Sequence, residues 1–133
     1  MTTEVARSSK KVVWTGYVMS ALPVLLLCFS AGMKFTTGKG IEEGFGHLGY
    51  PMSLAPALGI LELACTVVYL IPRTSVLGAI LLTGYLGGAT ATHVRVGDPF
   101  YGPILLGVLV WGGLFLREPR LRALIPFRRP SIQ

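Results

Sequence analysis

Four long apolar stretches run along the chain, separated by shorter segments that contain polar residues, glycine and proline. They cover residues 12–35, 54–71, 75–94 and 101–116. A helix that spans a bilayer needs about 20 residues, within a range of about 17–25. The stretches are continuously apolar rather than alternating, which favours helices over the strands of a membrane barrel. The pattern predicts an all-α integral membrane protein, a four-helix bundle that forms one domain over residues 1–133.

The connections between the stretches differ in length. Residues 71–75 and 95–99 contain proline or glycine and predict tight turns between antiparallel helices. The connection over residues 36–53 is longer and rich in glycine. Within it Ile41, Phe45 and Leu48 share a helical face, which predicts either a short interfacial helix or a flexible loop. The pattern favours neither alternative, and leaves open whether this segment is a lid.

Composition and charge support a membrane location. The chain is 52% hydrophobic and 14% charged, against about 25% charged residues in a typical soluble domain. Basic residues concentrate on the cytoplasmic side of a bilayer, so their distribution predicts that both termini lie in the cytoplasm. The cytoplasmic set is then Arg7, Lys10, Lys11, Arg73, Arg117, Arg120, Arg122, Arg128 and Arg129, and the outer set is Lys34, Lys39 and Arg95.

Basic residues that flank apolar spans indicate a lipid bilayer, and no nucleic acid, as the partner. The C-terminal tail, residues 117–133, is a basic segment of the kind that contacts anionic lipid next to a membrane helix.

Three ionisable residues lie inside the apolar stretches or at their ends: Lys34, Glu62 and His93. A charged side chain at the centre of a membrane helix costs about 2.5–3.5 kcal/mol on insertion scales. Helical side chains tilt toward the N-terminus of their helix. Lys34 and His93 therefore lean into the bilayer from the first and third helices, and Glu62 leans toward them from the antiparallel second helix. We expect the three to converge on one site in the outer half of the bilayer, where they are the candidate catalytic groups.

Polar and small residues form stripes that are expected to face this site. The stripes are Gly16, Ser20, Pro23 and Ser30 on the first helix, Gly59, Cys65, Thr66 and Tyr69 on the second, and Thr83, Gly87 and Thr90 on the third. The fourth helix has few polar residues and is expected to face lipid. The predicted substrate-binding residues are Ser30, Tyr50, Thr66, Thr90 and Arg95.

Structural roles compete with each of these assignments. A Lys–Glu pair can simply join two helices, and Lys34 or Arg95 can reach the lipid headgroups. The threonines can bond their own backbone. A separate strip, Gly84, Gly88 and Ala91, has the spacing that lets helix backbones approach closely.

No metal site is expected from the sequence. Cys28 and Cys65 both lie inside apolar stretches, where cysteine is usually a small apolar residue, and no Cys-x-x-Cys pair is present. A single deep histidine is not a bis-histidine haem site.

Four segments carry a resemblance to a known family: residues 30–34 (SAGMK), 45–51 (FGHLGYP), 59–64 (GILELA) and 84–95 (GYLGGATATHVR). In these segments the chain resembles the DoxX-like family of small four-helix membrane proteins. The resemblance implies a multi-pass protein of the bacterial inner membrane. The family takes its name from a subunit associated with quinone-linked sulfur oxidation, and some relatives are implicated in redox-stress complexes. Most members have no established activity, and no catalytic motif carries over.

Two classes of function remain. In the first, the site binds a small lipophilic molecule such as a quinone, without covalent attachment. Glu62 and His93 exchange protons with the ligand and Lys34 binds a developing oxyanion. A cofactor-free isomerase or hydrolase is a variant of this hypothesis. In the second, the protein is a non-catalytic scaffold, a homo-oligomer or an assembly subunit of an oxidoreductase complex. A transporter is disfavoured because four helices are few and no inverted repeat is visible. The sequence leaves open whether the protein is an enzyme.

Overall fold

A computed structural model describes residues 9–128 of the chain. This part is helical, and no strand occurs within it. In chain order the helices are α1 (Lys10–Met33), α2 (Lys39–Leu48), α3 (Ala55–Leu70), α4 (Ser75–Val96), α5 (Tyr101–Arg117) and α6 (Pro119–Leu124). A single 3-10 turn, Met52–Leu54, leads into α3.

Three helical segments are long and apolar enough to cross a bilayer: Lys10–Met33, Met52–Leu70 and Ser75–Val96. The prediction of an all-helical protein with membrane helices is confirmed to this extent. The α5 helix is also apolar and has 17 residues, the lower limit of the usual spanning length.

The helix boundaries follow from local signals in the sequence. The Ser9 hydroxyl accepts a hydrogen bond from the Val12 backbone at 3.4 Å and caps α1. The α2 and α4 helices end at Gly49 and Gly97, whose φ angles are 76° and 78°. Glycine adopts this left-handed conformation without steric cost. The observed bounds of α1, α3, α4 and α5 differ from those of the four apolar stretches by at most two residues.

The long helices surround one another in a ring in which α1 contacts α3 and α5, and α4 contacts the same two helices. Large apolar side chains point outward from this ring, among them Val18, Leu25 and Ile60. Buried polar residues include Ser20, Glu62, Thr66 and Ser75. An apolar exterior of this extent suits lipid as the surrounding solvent.

One half of the ring is tightly closed by glycines, and we call it the packed end: Gly16 and Ser20 of α1, Tyr69 of α3, Gly78 of α4 and Gly113 of α5. A Cβ atom on Gly16 would lie 2.7 Å from the Gly113 carbonyl oxygen. A Cβ atom on Gly78 would overlap the backbone of Tyr69. Glycine therefore sets how closely α1 approaches α5 and α3 approaches α4.

A hydrogen-bonded chain crosses the packed end. The Ser20 and Tyr69 hydroxyl groups lie 2.7 Å apart, and the Tyr69 hydroxyl donates to the Val110 carbonyl oxygen at 2.8 Å. Ser20 and Tyr69 are almost completely buried. This chain joins α1, α3 and α5 and satisfies the polar groups that their contact buries.

The glycine-rich connection after α1 contains a helix. Of the two alternatives for residues 36–53, the structure has the helical one, α2. Phe45 is buried, and Ile41 and Leu48 are half-buried, so the predicted apolar stripe is the inward face of α2.

The basic tail begins with the short helix α6. Leu121 of α6 is buried and packs into the apolar core that includes Leu114 of α5. Arg7 and Arg129, two residues of the predicted cytoplasmic set, lie outside the described residues.

Candidate functional site

A cavity of about 900 Å³ lies in the half of the ring away from the packed end. Residues of α1, α3 and α4 form most of its walls, with Pro103 and Leu106 from α5. Residues of α2 line one side, and apolar side chains make up most of the surface. We call this region the cavity end. Its polar lining consists of Ser30, Lys34, Tyr50, Glu62, Tyr85, Thr92 and His93.

An ion pair occupies the wall between α1 and α3. The Lys34 Nζ atom lies 2.7 Å from Glu62 Oε2. Ser30 connects the two groups, since its hydroxyl accepts from Lys34 Nζ at 2.7 Å and donates to Glu62 Oε2 at 3.3 Å. Ser30 lies one helical turn before Lys34, which places both side chains on the same face of α1.

Burial makes this pair mutually dependent. The Glu62 side chain is 3% exposed and the Lys34 side chain 16%. Removing either partner from a buried pair leaves an uncompensated charge, which is far more costly than the pair itself. Glu62 is therefore retained deep in α3 because α1 supplies its counter-ion.

Tyr85 and Thr92 line the cavity but are not among the predicted site residues. The Tyr85 phenol neighbours the Glu62 carboxylate from α4 and lines the cavity. The signal was available, because Tyr85, Gly88, Thr92 and His93 follow the i, i+3, i+7, i+8 spacing of one helical face.

His93 lines the cavity, and its ring is held by its own helix. The Nδ1 atom lies 2.7 Å from the Ala89 carbonyl oxygen. A carbonyl oxygen only accepts, so Nδ1 carries the proton and Nε2 of the neutral ring is the acceptor. Within residues 9–128 no hydrogen bond joins His93 to Lys34 or Glu62. The cavity thus brings the three candidate catalytic residues onto one surface, with only two of them in direct contact.

The α2 helix is fastened to the end of α4 beside the cavity. His47 Nε2 lies 2.8 and 2.9 Å from the two carboxylate oxygens of Asp98. The Arg95 guanidinium donates to the Leu48 carbonyl oxygen, where α2 ends. These contacts hold the inward face of α2 against the cavity.

Tyr50 makes a second connection just beyond α2. Its hydroxyl lies 3.0 Å from the Thr92 hydroxyl. The Arg95 guanidinium carbon lies 5.8 Å from the centre of the Tyr50 ring, within cation–π range. Tyr50 lines the cavity and Arg95 does not, so the structure gives Arg95 a role in positioning Leu48 and Tyr50.

The predicted threonine ligands lie away from the cavity surface. The Thr66 hydroxyl donates to the Glu62 carbonyl oxygen at 2.8 Å, and the Thr90 hydroxyl donates to the Leu86 carbonyl oxygen at 2.8 Å. Each satisfies the backbone of its own helix, four residues earlier. Neither residue is part of the cavity lining.

The predicted polar stripes divide between the two ends. Ser30, Lys34, Glu62, Cys65 and His93 line the cavity, whereas Gly16, Ser20 and Tyr69 form the packed end. Thr83 accepts a hydrogen bond from the Trp111 indole at 2.7 Å and so joins α4 to α5.

Gly84 and Gly88, two residues of the predicted small-residue strip, lie on an open part of α4. Within residues 9–128, a Cβ atom on either glycine would meet no other atom within 4 Å. The strip therefore does not bring a neighbouring helix backbone close within this part of the chain, and its use as a contact with another protein stays a prediction. Both glycines line the cavity, so their missing side chains contribute to its volume.

The cysteines do not approach bonding geometry, since both Cys28 and Cys65 are free thiols. In the part of the chain that the structure describes, no three His, Cys, Asp or Glu residues are grouped closely enough to hold a metal ion.

Comparison with curated proteins and with solved structures gives no match. A family model does match. The matched part of the chain includes α3, α4 and the cavity-lining residues Ser30, Lys34, Glu62 and His93. The match extends over residues 18–113, well over half of the chain, and the protein therefore belongs to the DoxX-like family of membrane proteins.

Proposed function

We propose that α1, α3, α4 and α5 all cross the bilayer as a four-helix bundle with both termini in the cytoplasm. The basic residues Lys10, Arg73 and Arg117 lie at the α1 start, the α3–α4 turn and the α5 end. Alternating passes place these three points on one side, and the excess of basic residues marks that side as cytoplasmic. The resemblance to the DoxX-like family implies that this membrane is the bacterial inner membrane, and in the proposed orientation the cavity end lies in the outer half.

The cavity end is a binding site for a small lipophilic molecule, with a quinone as the ligand class. The observation that carries this proposal is the Lys34–Glu62 ion pair in the wall of a cavity of about 900 Å³ that is otherwise mostly apolar. Ligand sites are typically cavities of about 300–1,000 Å³ with apolar walls and a few placed polar groups.

The polar groups fit the head of a quinone. Lys34 and Tyr85 are hydrogen-bond donors beside the cavity, and a quinone carbonyl oxygen is an acceptor. The apolar walls suit a ring and a hydrocarbon tail. A bound quinone carries electrons and takes up protons when it is reduced.

The chain supplies proton handling and charge stabilisation. Lys34 stabilises negative charge on a ligand oxygen. His93 Nε2 and the Glu62 carboxyl exchange protons with the ligand. The electrons come from a partner oxidoreductase subunit. A cofactor-free isomerase or hydrolase would use the same acid and base on a lipophilic substrate.

The principal alternative is a non-catalytic scaffold or assembly subunit of an oxidoreductase complex. The Lys34–Glu62 pair would then only join α1 to α3. This alternative predicts that blocking the cavity leaves complex assembly unchanged and that no lipophilic molecule co-purifies.

A matched pair of glycine variants separates these functions. Gly84→Leu projects a side chain from a cavity-lining position, whereas Gly87→Leu projects one from α4 at a position outside the lining. Neither position has an atom of the described residues within 4 Å of the added Cβ, so both variants should fold. The measurement is mass spectrometry of lipophilic molecules that co-purify in mild detergent, together with binding of a short-chain benzoquinone.

We expect Gly84→Leu and Glu62→Gln to lose the co-purifying molecule and to weaken benzoquinone binding about tenfold or more, the equivalent of about 1.4 kcal/mol. Gly87→Leu should match the wild type. Equal benzoquinone binding by the wild type and the three variants would refute the proposed site and favour the scaffold function. If the wild type retains a lipophilic molecule that is not a quinone and both Gly84→Leu and Glu62→Gln lose it, the site is supported and the ligand belongs to another class.

A further inference from the structure

A second apolar groove lies at the opposite end of the molecule, between α5 and the short helix α6. Its volume is about 410 Å³. The lining is wholly apolar and consists of Val108, Trp111, Gly112, Phe115, Leu121 and Ile125. Val108 and Ile125 are largely exposed, so the groove opens to the surroundings of the helix bundle.

The groove lies where α5 ends. Glu118 interrupts the helix, its side chain accepts a hydrogen bond from the Arg120 backbone, and α6 continues from Pro119. Because α5 is an apolar helix of spanning character, its end marks the boundary between hydrocarbon and headgroups. The groove therefore runs from the hydrocarbon region toward the headgroup region.

Arg122 follows the groove-lining Leu121 in α6, and its side chain is half-buried. The Nε and Nη2 atoms are shielded and have no hydrogen-bond partner within residues 9–128. Arg117 Nε is also shielded and without a partner in this part of the chain, but the Arg117 guanidinium carbon lies 5.2 Å and 5.3 Å from the ring centres of Tyr17 and Tyr69. A positively charged group that is partly shielded from water is stabilised by a neighbouring anion, so Arg122 favours an anionic partner.

The charge at this end of the molecule favours an anionic occupant. Only Glu118 is acidic among the described residues of α6 and its flanks, and its side chain caps that helix. The basic residues at this end are Lys10, Lys11, Arg73, Arg117, Arg120, Arg122 and Arg128.

We propose that the α5–α6 face binds one phospholipid that carries a net negative headgroup. Its phosphate accepts hydrogen bonds from Arg122, and one of its acyl chains lies in the groove beside Trp111. Arg122 is the sequence neighbour of the groove-lining Leu121, so the apolar groove and a basic residue lie near one bilayer boundary. This boundary is the place where a phospholipid joins an acyl chain to a phosphate. This site is separate from the cavity end, and the proposal rests on the proposed crossing of the bilayer by α5 but not on the proposed quinone site.

The two tryptophans of the chain make the site measurable. Trp14 and Trp111 are the only ones, so Trp14→Phe leaves Trp111 as a single fluorophore in the groove wall. The Trp14→Phe variant is reconstituted in phosphatidylcholine vesicles that contain a minor fraction of lipid with brominated acyl chains. Bromine quenches tryptophan on contact, and the brominated lipid is either phosphatidylglycerol or phosphatidylcholine.

We expect stronger quenching of Trp111 by brominated phosphatidylglycerol than by brominated phosphatidylcholine. The difference should correspond to an enrichment of about fivefold in the groove, because one lysine or arginine contact is worth about 1 kcal/mol at the membrane surface. In the same background, Arg122→Gln should abolish the enrichment. Arg120→Gln, the matched control at an exposed arginine of α6, should retain most of it.

Three results would overturn the proposal. The first is equal quenching by the two lipids. The second is an equal loss in Arg122→Gln and Arg120→Gln, which would indicate general surface attraction. The third is full displacement of the enriched lipid by excess inorganic phosphate, which would make the occupant a free anion.

Discussion

The packed end and the cavity end are built from the same residue types and use them in opposite ways. At the packed end, Gly16 and Gly78 lie where a Cβ atom would collide with a neighbouring helix. At the cavity end, Gly84 and Gly88 lie where a Cβ atom would meet nothing in the described part of the chain. Glycine thus lets helices touch in one half and keeps space empty in the other.

The polar side chains divide in the same way. Ser20 and Tyr69 bond to one another and to a backbone carbonyl across the helix contacts. Lys34 and Glu62 also bond to one another, but they do so in a wall that faces open space. This difference indicates that the packed end stabilises the fold, whereas the cavity end is available to a ligand.

Loss of the Lys34 ammonium should have the largest effect on stability. Lys34→Met leaves the Glu62 carboxylate buried without its counter-ion. We expect the free energy of unfolding to fall by about 3 kcal/mol, the lower end for breaking a buried pair. Denaturant unfolding in detergent measures this change, and Lys39→Met, at an exposed lysine of α2, should stay within about 0.5 kcal/mol of the wild type.

A double variant then shows whether the pair matters for the fold or for the site. Lys34→Met combined with Glu62→Leu removes both charges and should recover most of the lost stability. The double variant should nevertheless fail to bind benzoquinone. A stable double variant that binds as the wild type does would show that the pair only joins α1 to α3.

An added methyl group should distinguish the two ends directly. Gly78→Ala places a Cβ atom on the backbone of Tyr69 and forces α3 and α4 apart. We expect a loss of about 2 kcal/mol, within the usual range for overpacking. Gly84→Ala adds the same methyl group on the same helix without a collision and should be neutral or stabilising by up to about 1 kcal/mol. Similar unfolding midpoints for the two variants would contradict the distinction between the ends.

The sequence predicts the meeting of Lys34 and Glu62 because burial of charge and the direction of helical side chains leave few alternatives. It does not separate the two ends, because a stripe of small and polar residues defines a face of a helix and not the neighbour of that face. The stripes therefore predict one common site for Ser20, Tyr69 and Glu62. Tyr85 shares a helical face with His93, but a tyrosine within an apolar run also has the pattern of a core residue, so the sequence does not single it out. The empty space beside Gly84 depends on how three helices diverge, which no single segment encodes.

The smallest of these effects comes from removing one hydroxyl group at each end. Tyr69→Phe leaves Ser20 and the Val110 carbonyl oxygen without their shared partner in a closed interior. The free energy of unfolding should fall by about 1–2 kcal/mol, with benzoquinone binding unchanged. Tyr85→Phe removes a hydroxyl group that faces the cavity and neighbours a carboxylate already bonded to Lys34 and Ser30. Its stability should change by less than about 0.5 kcal/mol, whereas benzoquinone binding should weaken severalfold because a ligand oxygen loses a donor. Unfolding and benzoquinone binding are measured on both variants. Weaker binding by Tyr69→Phe would mean that the packed end also contacts the ligand. A large loss of stability in Tyr85→Phe would mean that the cavity end also stabilises the fold.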